Sequence, residues 1–101
     1  MQQALKIVAE PRRQQILALI WDGERKAGDI AASVEVGFSA VSQHLKVLRD
    51  SQLVHVREAG RERLYRANKE AMGPLAVYLE EIWRSRLVKL KAMAEQVAFR
   101  T

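Results

Sequence analysis

The 101-residue sequence contains no cysteine, only 2 prolines and only 5 glycines. Without cysteine, disulfides, thiolate nucleophiles and thiolate metal sites are excluded. Because 49% of the residues are hydrophobic and 29% are charged, the composition indicates a folded chain rather than a disordered one. No segment approaches the ~20 apolar residues that cross a membrane, and residues 1–6 lack the apolar run of a signal peptide. We therefore expect a cytoplasmic protein without membrane contact.

The sequence does carry an excess of positive charge. Lysine and arginine number 17 against 12 acidic residues, a net charge of +5. Such a balance is typical of domains that bind nucleic acid, although ordinary solubility explains it equally well. The length suits a single domain that spans residues 1–101.

The spacing of apolar residues predicts four helices in the first half of the chain. They cover residues up to about 9, then 12–21, 27–34 and 39–51. The first breaks near Glu10, ahead of Pro11, because proline favours the first turn of a new helix. Asp22-Gly23 is expected to close the second helix, and Ser39 to cap the fourth with its side-chain oxygen.

The second half changes from helical spacing to strands and back. Leu53–Arg57 and Glu62–Ala67 are rich in Val, Leu and Tyr, and Ala59-Gly60 between them predicts a β-hairpin. Apolar residues then recur every three or four positions, which predicts a long helix over residues 69–98. The predicted fold class is therefore mainly α with a small β-hairpin (α+β).

The long helix outreaches a core of this size, so we expect its apolar stripe to pack against a second copy of the chain. A helix folded back on its own domain is the alternative. The predicted dimerisation helices are N- and C-terminal, and the residues expected at the contact are Leu5, Val8, Leu79, Ile82, Trp83, Leu87 and Leu90.

Helix, helix, turn, helix, hairpin and long helix follow one another in the order of a winged helix-turn-helix domain. Within that order the sequence resembles the ArsR/SmtB-type winged-helix transcriptional repressors. The resemblance is carried by Ala9–Leu17, Ser39–Arg49, Leu53-Val54, Gly60-Arg61 and Tyr65. Two departures are Glu10, where an Asp cap is usual, and Arg12, where Thr is common. The resemblance implies a homodimeric repressor that binds an inverted-repeat operator in double-stranded DNA.

The predicted fourth helix has two faces. One is apolar, with Val41, Leu45 and Leu48, and the other is polar, with Ser39, Ser42, Gln43 and Lys46. Glutamine pairs with adenine in the major groove, while serine and lysine bind base edges or phosphates, so we predict DNA contact through the polar face. Gln43 is the predicted base-specific contact. A merely solvated face is the alternative.

His44 lies between these two faces, where packing against a neighbouring element is favoured and the resemblance also implies DNA contact. At the hairpin tip Arg57, Arg61 and Arg63 are expected to bind phosphates or the minor groove. Ordinary surface charge is the alternative for these arginines. Arg12 and Arg13, at the start of the second helix, are further phosphate candidates, with pairing to Glu10 as the alternative.

No metal site and no cofactor are predicted. Residues 24–30 align with the metal-sensing segment of the resembled family, but Lys26 and Gly28 occupy the places of its cysteines. The final helix lacks histidine, and its glutamates are scattered, so the chain is similar to the metal-independent branch. The sequence indicates no effector.

Catalysis is not expected either, because no nucleophile stands beside an acid/base pair and no glycine-rich phosphate loop occurs. The predicted function is a sequence-specific DNA-binding transcriptional regulator, a repressor. The alternative is a winged-helix protein-interaction module without a specific DNA site.

Overall fold

The computed structural model describes the backbone of residues 2–100 and the side chains of residues 3–97. Met1 and Thr101, the ends of the predicted domain, lie outside the described residues. The elements, in chain order, are α1 Gln2–Ala9, α2 Pro11–Leu19, β1 Arg25–Lys26, α3 Ala27–Ala32, α4 Phe38–Asp50, β2 Val54–Ala59, β3 Glu62–Ala67, α5 Lys69–Met72 and α6 Pro74–Arg100. The predicted class, mainly helical with a small sheet, is confirmed.

The break between α1 and α2 falls where the sequence predicted it. Pro11 is the first residue of α2, and the Glu10 carboxylate caps the helix by accepting the backbone N–H of Arg13 at 2.9 Å. At the other end α2 stops at Leu19, two residues earlier than predicted. The carbonyl of Ile20 accepts the backbone N–H of Ala67 at 2.9 Å, so the chain leaves the helix to bond the sheet.

The turn between α3 and α4 brings two corrections. Helix α3 ends at Ala32, and Ser33 rather than Val34 closes it. Helix α4 begins at Phe38 with Gly37 as its N-cap, and no side chain supplies a capping bond. Ser39 is therefore not the cap but the second residue of the helix. Its hydroxyl, which was expected to bond the backbone, lies on the exposed surface.

The predicted hairpin is confirmed, and it is part of a three-stranded antiparallel sheet in the order β1-β3-β2. Ala59 pairs with Glu62, so Gly60-Arg61 form a two-residue turn. Gly60 adopts a positive φ of 66°, which glycine tolerates best. Strand β1, absent from the sequence prediction, adds two residues beside β3.

The long helix predicted over residues 69–98 is interrupted. A single turn, α5, ends at Gly73, whose φ is +57°, and α6 starts at Pro74. Proline lacks an N–H and excludes the helical conformation from the residue before it, so the chain turns at Gly73. From there α6 runs for 27 residues.

The first half of α6 is attached to the core by tryptophans. Trp21, which is 5% exposed, donates through Nε1 to the Glu80 carboxylate at 2.8 Å. Its ring meets that of Trp83 edge-to-face, with centroids 4.8 Å apart. Leu79 is buried in the same core. Within the described part of the chain, no helix is apolar enough over a sufficient length to traverse a bilayer.

Candidate nucleic-acid interface

Helix α4 has the two faces that the sequence predicted. Its apolar stripe is fully buried: Val41 and Leu48 are 0% exposed and Leu45 is 1% exposed. The opposite face is open to solvent, and it carries Ser39, Ser42, Gln43 and Lys46. Because the buried stripe fixes the rotation of the helix, these four polar side chains are held outward together.

The hairpin lies beside that polar face. One shallow groove is lined by Ser39, Ser42, Gln43, Lys46, Arg49, Arg63 and Tyr65. A second groove shares Ser42, Arg63 and Tyr65 with the first, and it is also lined by Phe38, Arg61, Lys26, Asp29 and Glu62. The structure therefore brings the polar face of α4 and two of the three predicted hairpin arginines onto one surface, which we call the α4–hairpin surface.

Arg57 is the third hairpin arginine, and it is held in an ion pair. Its Nε and terminal nitrogen donate to the two Glu24 carboxylate oxygens at 2.9 and 3.2 Å. The Arg57 hydrogen bond lowers the pKa of Glu24 below its ordinary value. Lys26 pairs in the same way with Glu62 at 2.8 Å, and that bond raises the pKa of the lysine. These two pairs join the hairpin to the segment around β1.

Arg61 and Arg63 differ from Arg57. Within the described residues neither of them has a carboxylate within 4.0 Å, and the same holds for Lys46. Their charges are available to an anionic partner. The three cations border the α4–hairpin surface from both sides.

A small polar cluster ties α4 to the start of α2. Arg13 donates from Nε to His44 Nδ1 at 3.4 Å and from a terminal nitrogen to the carbonyl of Ile7 at 3.3 Å. Glu10 lies 3.9 Å from Arg13 and 3.8 Å from His44 Nδ1. The structure thus brings Arg13 and His44 together as neighbours of Glu10, and it places their side chains in half-buried positions rather than at the groove.

Glu10 is the anion of this cluster. Partial burial raises the pKa of its carboxyl, but the backbone N–H groups of Arg13 and Arg12 and the positive charge of Arg13 outweigh burial and hold the pKa below its ordinary value. Arg12 itself is turned away, donating to the Gln15 side chain at 3.0 Å.

Sequence reasoning missed two residues of the α4–hairpin surface. Arg49 lines the groove beside Lys46 and lies 3.6 Å from Asp50. Phe38 is 57% exposed at the first turn of α4, next to Ser42 and Arg61. Because the fourth helix was predicted to begin at Ser39, Phe38 fell outside it, and the one available signal was an aromatic residue just before a polar helix face.

The residues predicted at the dimer contact differ in their exposure to solvent. Leu5, Leu87 and Leu90 are 53%, 68% and 62% exposed. Ile82 and Trp83 are half-buried. Val8 and Leu79 are 2% and 1% exposed, so the chain's own core covers them and they offer no surface to a second copy.

An exposed polar helix preceded by a helix and turn, with a basic hairpin beside it, defines a winged helix-turn-helix DNA-binding domain. The chain also matches the family model for the bacterial regulatory proteins of the arsR family over residues 10–56. It is 34% identical over 80 residues to the HTH-type transcriptional regulator Rv2034 of Mycobacterium tuberculosis, an alignment covering 79% of this chain and 75% of that protein.

This chain is also similar to two other proteins. The arsenical resistance operon repressor of Staphylococcus xylosus is 35% identical over 66 residues, which is 65% of this chain and 64% of that protein. The homodimeric winged helix-turn-helix DNA-binding domain of Mb0332 from Mycobacterium bovis superimposes with a TM-score of 0.71 at 29% identity, covering 85% of this chain and 80% of that one. The chain belongs to the arsR family, and it is a DNA-binding transcriptional regulator.

Two arginines of one hairpin make a matched pair for testing phosphate contact. Replacing Arg61 by alanine should reduce the slope of log affinity against log salt by about one unit, because one released counterion is lost. Arg57→Ala should change the slope little, since Glu24 already neutralises that charge. Titrations of a fluorescent duplex at several salt concentrations measure both slopes. Equal changes in the two variants would contradict this assignment.

The Glu10 cap predicts a pH-dependent contribution to stability. Glu10→Ala should lower the free energy of unfolding by about 1 kcal/mol at neutral pH, because α2 loses its cap. The folded-state pKa is depressed, so this contribution is complete above the ordinary value of 4.5 and is lost as the pH falls through the folded-state value. Urea unfolding across that range measures it. Glu10→Gln keeps an oxygen acceptor and is the control. If the difference in free energy of unfolding between Glu10→Ala and the wild type stays the same in acid, this explanation is wrong.

Proposed function

We propose that this regulator is a homodimer that binds an inverted-repeat operator and represses transcription in the cytoplasm. The observation that carries the proposal is the α4–hairpin surface, where the exposed face of α4 and unpaired cations lie side by side. Gln43 lines the first groove of this surface, and its side chain has no hydrogen-bond partner among the described residues. The Staphylococcus xylosus relative, named a repressor, supports the direction of regulation.

Pairing of two chains is supported by the far side of the molecule. Helix α6 is about 40 Å long, and the part beyond residue 84 extends past the core. Apolar side chains there are 60–68% exposed at Leu87, Val88, Leu90 and Met93. Contiguous apolar surface of this kind marks an association site. The spacing by which two helices pack together alternates between four and three residues, and it is followed by Trp83, Leu87 and Leu90.

A two-fold pair would present two copies of α4 to one face of a duplex. Successive major grooves on that face are ~34–36 Å apart, so each α4 would enter one groove and the operator would be an inverted repeat. Among the described residues, a single α4–hairpin surface carries three cations without a carboxylate partner, Lys46, Arg61 and Arg63, and a second copy doubles the contact area. A dimer bound across a promoter would exclude RNA polymerase, which is the proposed means of repression.

Regulation by a thiolate-bound metal does not fit this chain. The family's cysteine positions hold Lys26 and Gly28, and Lys26 is already engaged by Glu62. We therefore place the chain in the metal-independent branch, with no cofactor and no catalytic activity of its own.

Gln43→Ala tests base-specific contact. The substitution should weaken binding to the selected operator by about 1–3 kcal/mol and leave binding to random duplex almost unchanged, because only the operator offers the matching base. Gln3→Ala, which alters an exposed glutamine on α1, is the matched control and should bind like the wild type. Competition titrations against both duplexes provide the measurement.

Equal losses on operator and random DNA would remove Gln43 from the base contacts. Indistinguishable affinity of the wild type for both duplexes would favour a protein-interaction module instead.

The dimer surface is tested by introducing charge into it. Replacing Leu87 and Leu90 together by aspartate should yield monomers with poor operator affinity, because each half-site alone is weak. Lys89→Asp and Gln96→Asp together introduce two acidic groups on the opposite side of the same helix and should leave the dimer intact. Sedimentation velocity at micromolar protein reports the oligomeric state. A dimer that survives the double substitution would mean that the contact lies elsewhere.

A further inference from the structure

Phe38 is an apolar side chain on a surface that is otherwise polar and basic. Large exposed apolar residues among those described lie mainly on α1 and α6, where the second copy is proposed to bind. On α4 they are Phe38, at 57% exposure, and Val47, at 37%. Of these two, Phe38 is the aromatic one and lines a groove with the hairpin.

The position of Phe38 follows from helix geometry. Phe38 and Ser42 are one turn apart, so their side chains leave α4 on neighbouring paths and line the same groove. Arg61 and Arg63 form the hairpin side of that groove. Phe38 thus lies between the polar face of α4 and the cations of the hairpin.

The groove around this phenylalanine carries the cations Lys26, Arg61 and Arg63 and the carboxylates Asp29 and Glu62. Because Lys26 and Glu62 pair with each other, the two arginines outnumber the one remaining carboxylate, and this balance favours an anionic partner such as DNA. Neither Arg61 nor Arg63 has a carboxylate partner in the described residues, and a phosphate backbone satisfies two such guanidinium groups directly. In the major groove of a duplex one base-pair group is prominently apolar, the C5-methyl of thymine. Phenylalanine is among the side chains that contact it.

We propose that Phe38 contacts the methyl group of one thymine in each half-site, and that this contact is a determinant of sequence specificity. The inference rests on the proposed function, since it requires α4 to enter the major groove. It adds an apolar contact to the polar ones of Ser39, Ser42 and Gln43. It also accounts for the exposure of an aromatic ring that contributes little to the core.

The probe is the DNA duplex that the 101-residue protein enriches from a random pool. This duplex is synthesised once with all its thymines and then as a series in which deoxyuridine replaces one thymine at a time. Deoxyuridine lacks only the methyl group. For the wild type, substitution at one particular thymine of each half-site should weaken binding about fourfold per methyl removed. Phe38→Ala should bind the thymine and deoxyuridine forms equally at that position.

Two further variants make the result specific to this side chain. Phe38→Met keeps an apolar group and should retain part of the preference for thymine. Val47→Ala shortens the other apolar residue exposed on α4, which faces α1 rather than the hairpin groove, and should discriminate like the wild type. Thermal melting of each variant shows whether it is folded. If Phe38→Ala is not folded, Phe38→Met is compared with the wild type instead.

The outcomes separate this inference from the proposed function. If an inverted repeat is enriched but the wild type is indifferent to every methyl, or Phe38→Ala keeps the wild-type preference, the methyl contact is refuted while operator binding stands. An enriched repeat without thymine refutes it in the same way. If no duplex is enriched at all, operator binding and the methyl contact both fail.

Discussion

The burial of Val41, Leu45 and Leu48 is the constraint on which the rest of this surface depends. A helix with one stripe wholly inside the core cannot rotate without exposing it, so the opposite residues are fixed outward. The hairpin is tied to the same helix, because the backbone N–H of Leu53 donates to the carbonyl of Leu48 at 2.9 Å. Helix and hairpin are therefore held together as one rigid unit rather than as two independent parts.

The cations on and around the hairpin are of two kinds, those paired with a carboxylate and those without one. Arg57 and Lys26 are held by Glu24 and Glu62, and they fasten the hairpin to β1. The remaining unpaired cations of the surface are few, so a single copy would hold DNA weakly. The proposed pairing through the exposed apolar residues of α6 would offset this limit by adding the cations of a second copy.

Much of the architecture could be predicted from spacing alone, including the break at Glu10, the two faces of α4 and the hairpin. Contacts between distant residues could not, because Arg57 and Glu24 are 33 positions apart and Arg13 and His44 are 31 apart. The role of Phe38 was equally hidden: the fourth helix was predicted to begin at Ser39, so the spacing assigned Phe38 to no helix face. Apolar spacing also does not distinguish burial within one chain from burial between two, which is why Val8 and Leu79 were assigned to the dimer contact.

In the proposed dimer, two copies of the chain hold their α4 helices one helical turn of DNA apart. Because the sequence has no cysteine, Ser39→Cys provides a single attachment point for a spin label at the exposed start of each α4. Pulsed electron spin resonance of the labelled protein then measures the distance between the two helices directly. The account predicts a distribution centred near ~34–36 Å, widened by the label. The absence of dipolar coupling at micromolar concentration, or a distance incompatible with successive major grooves, would contradict it.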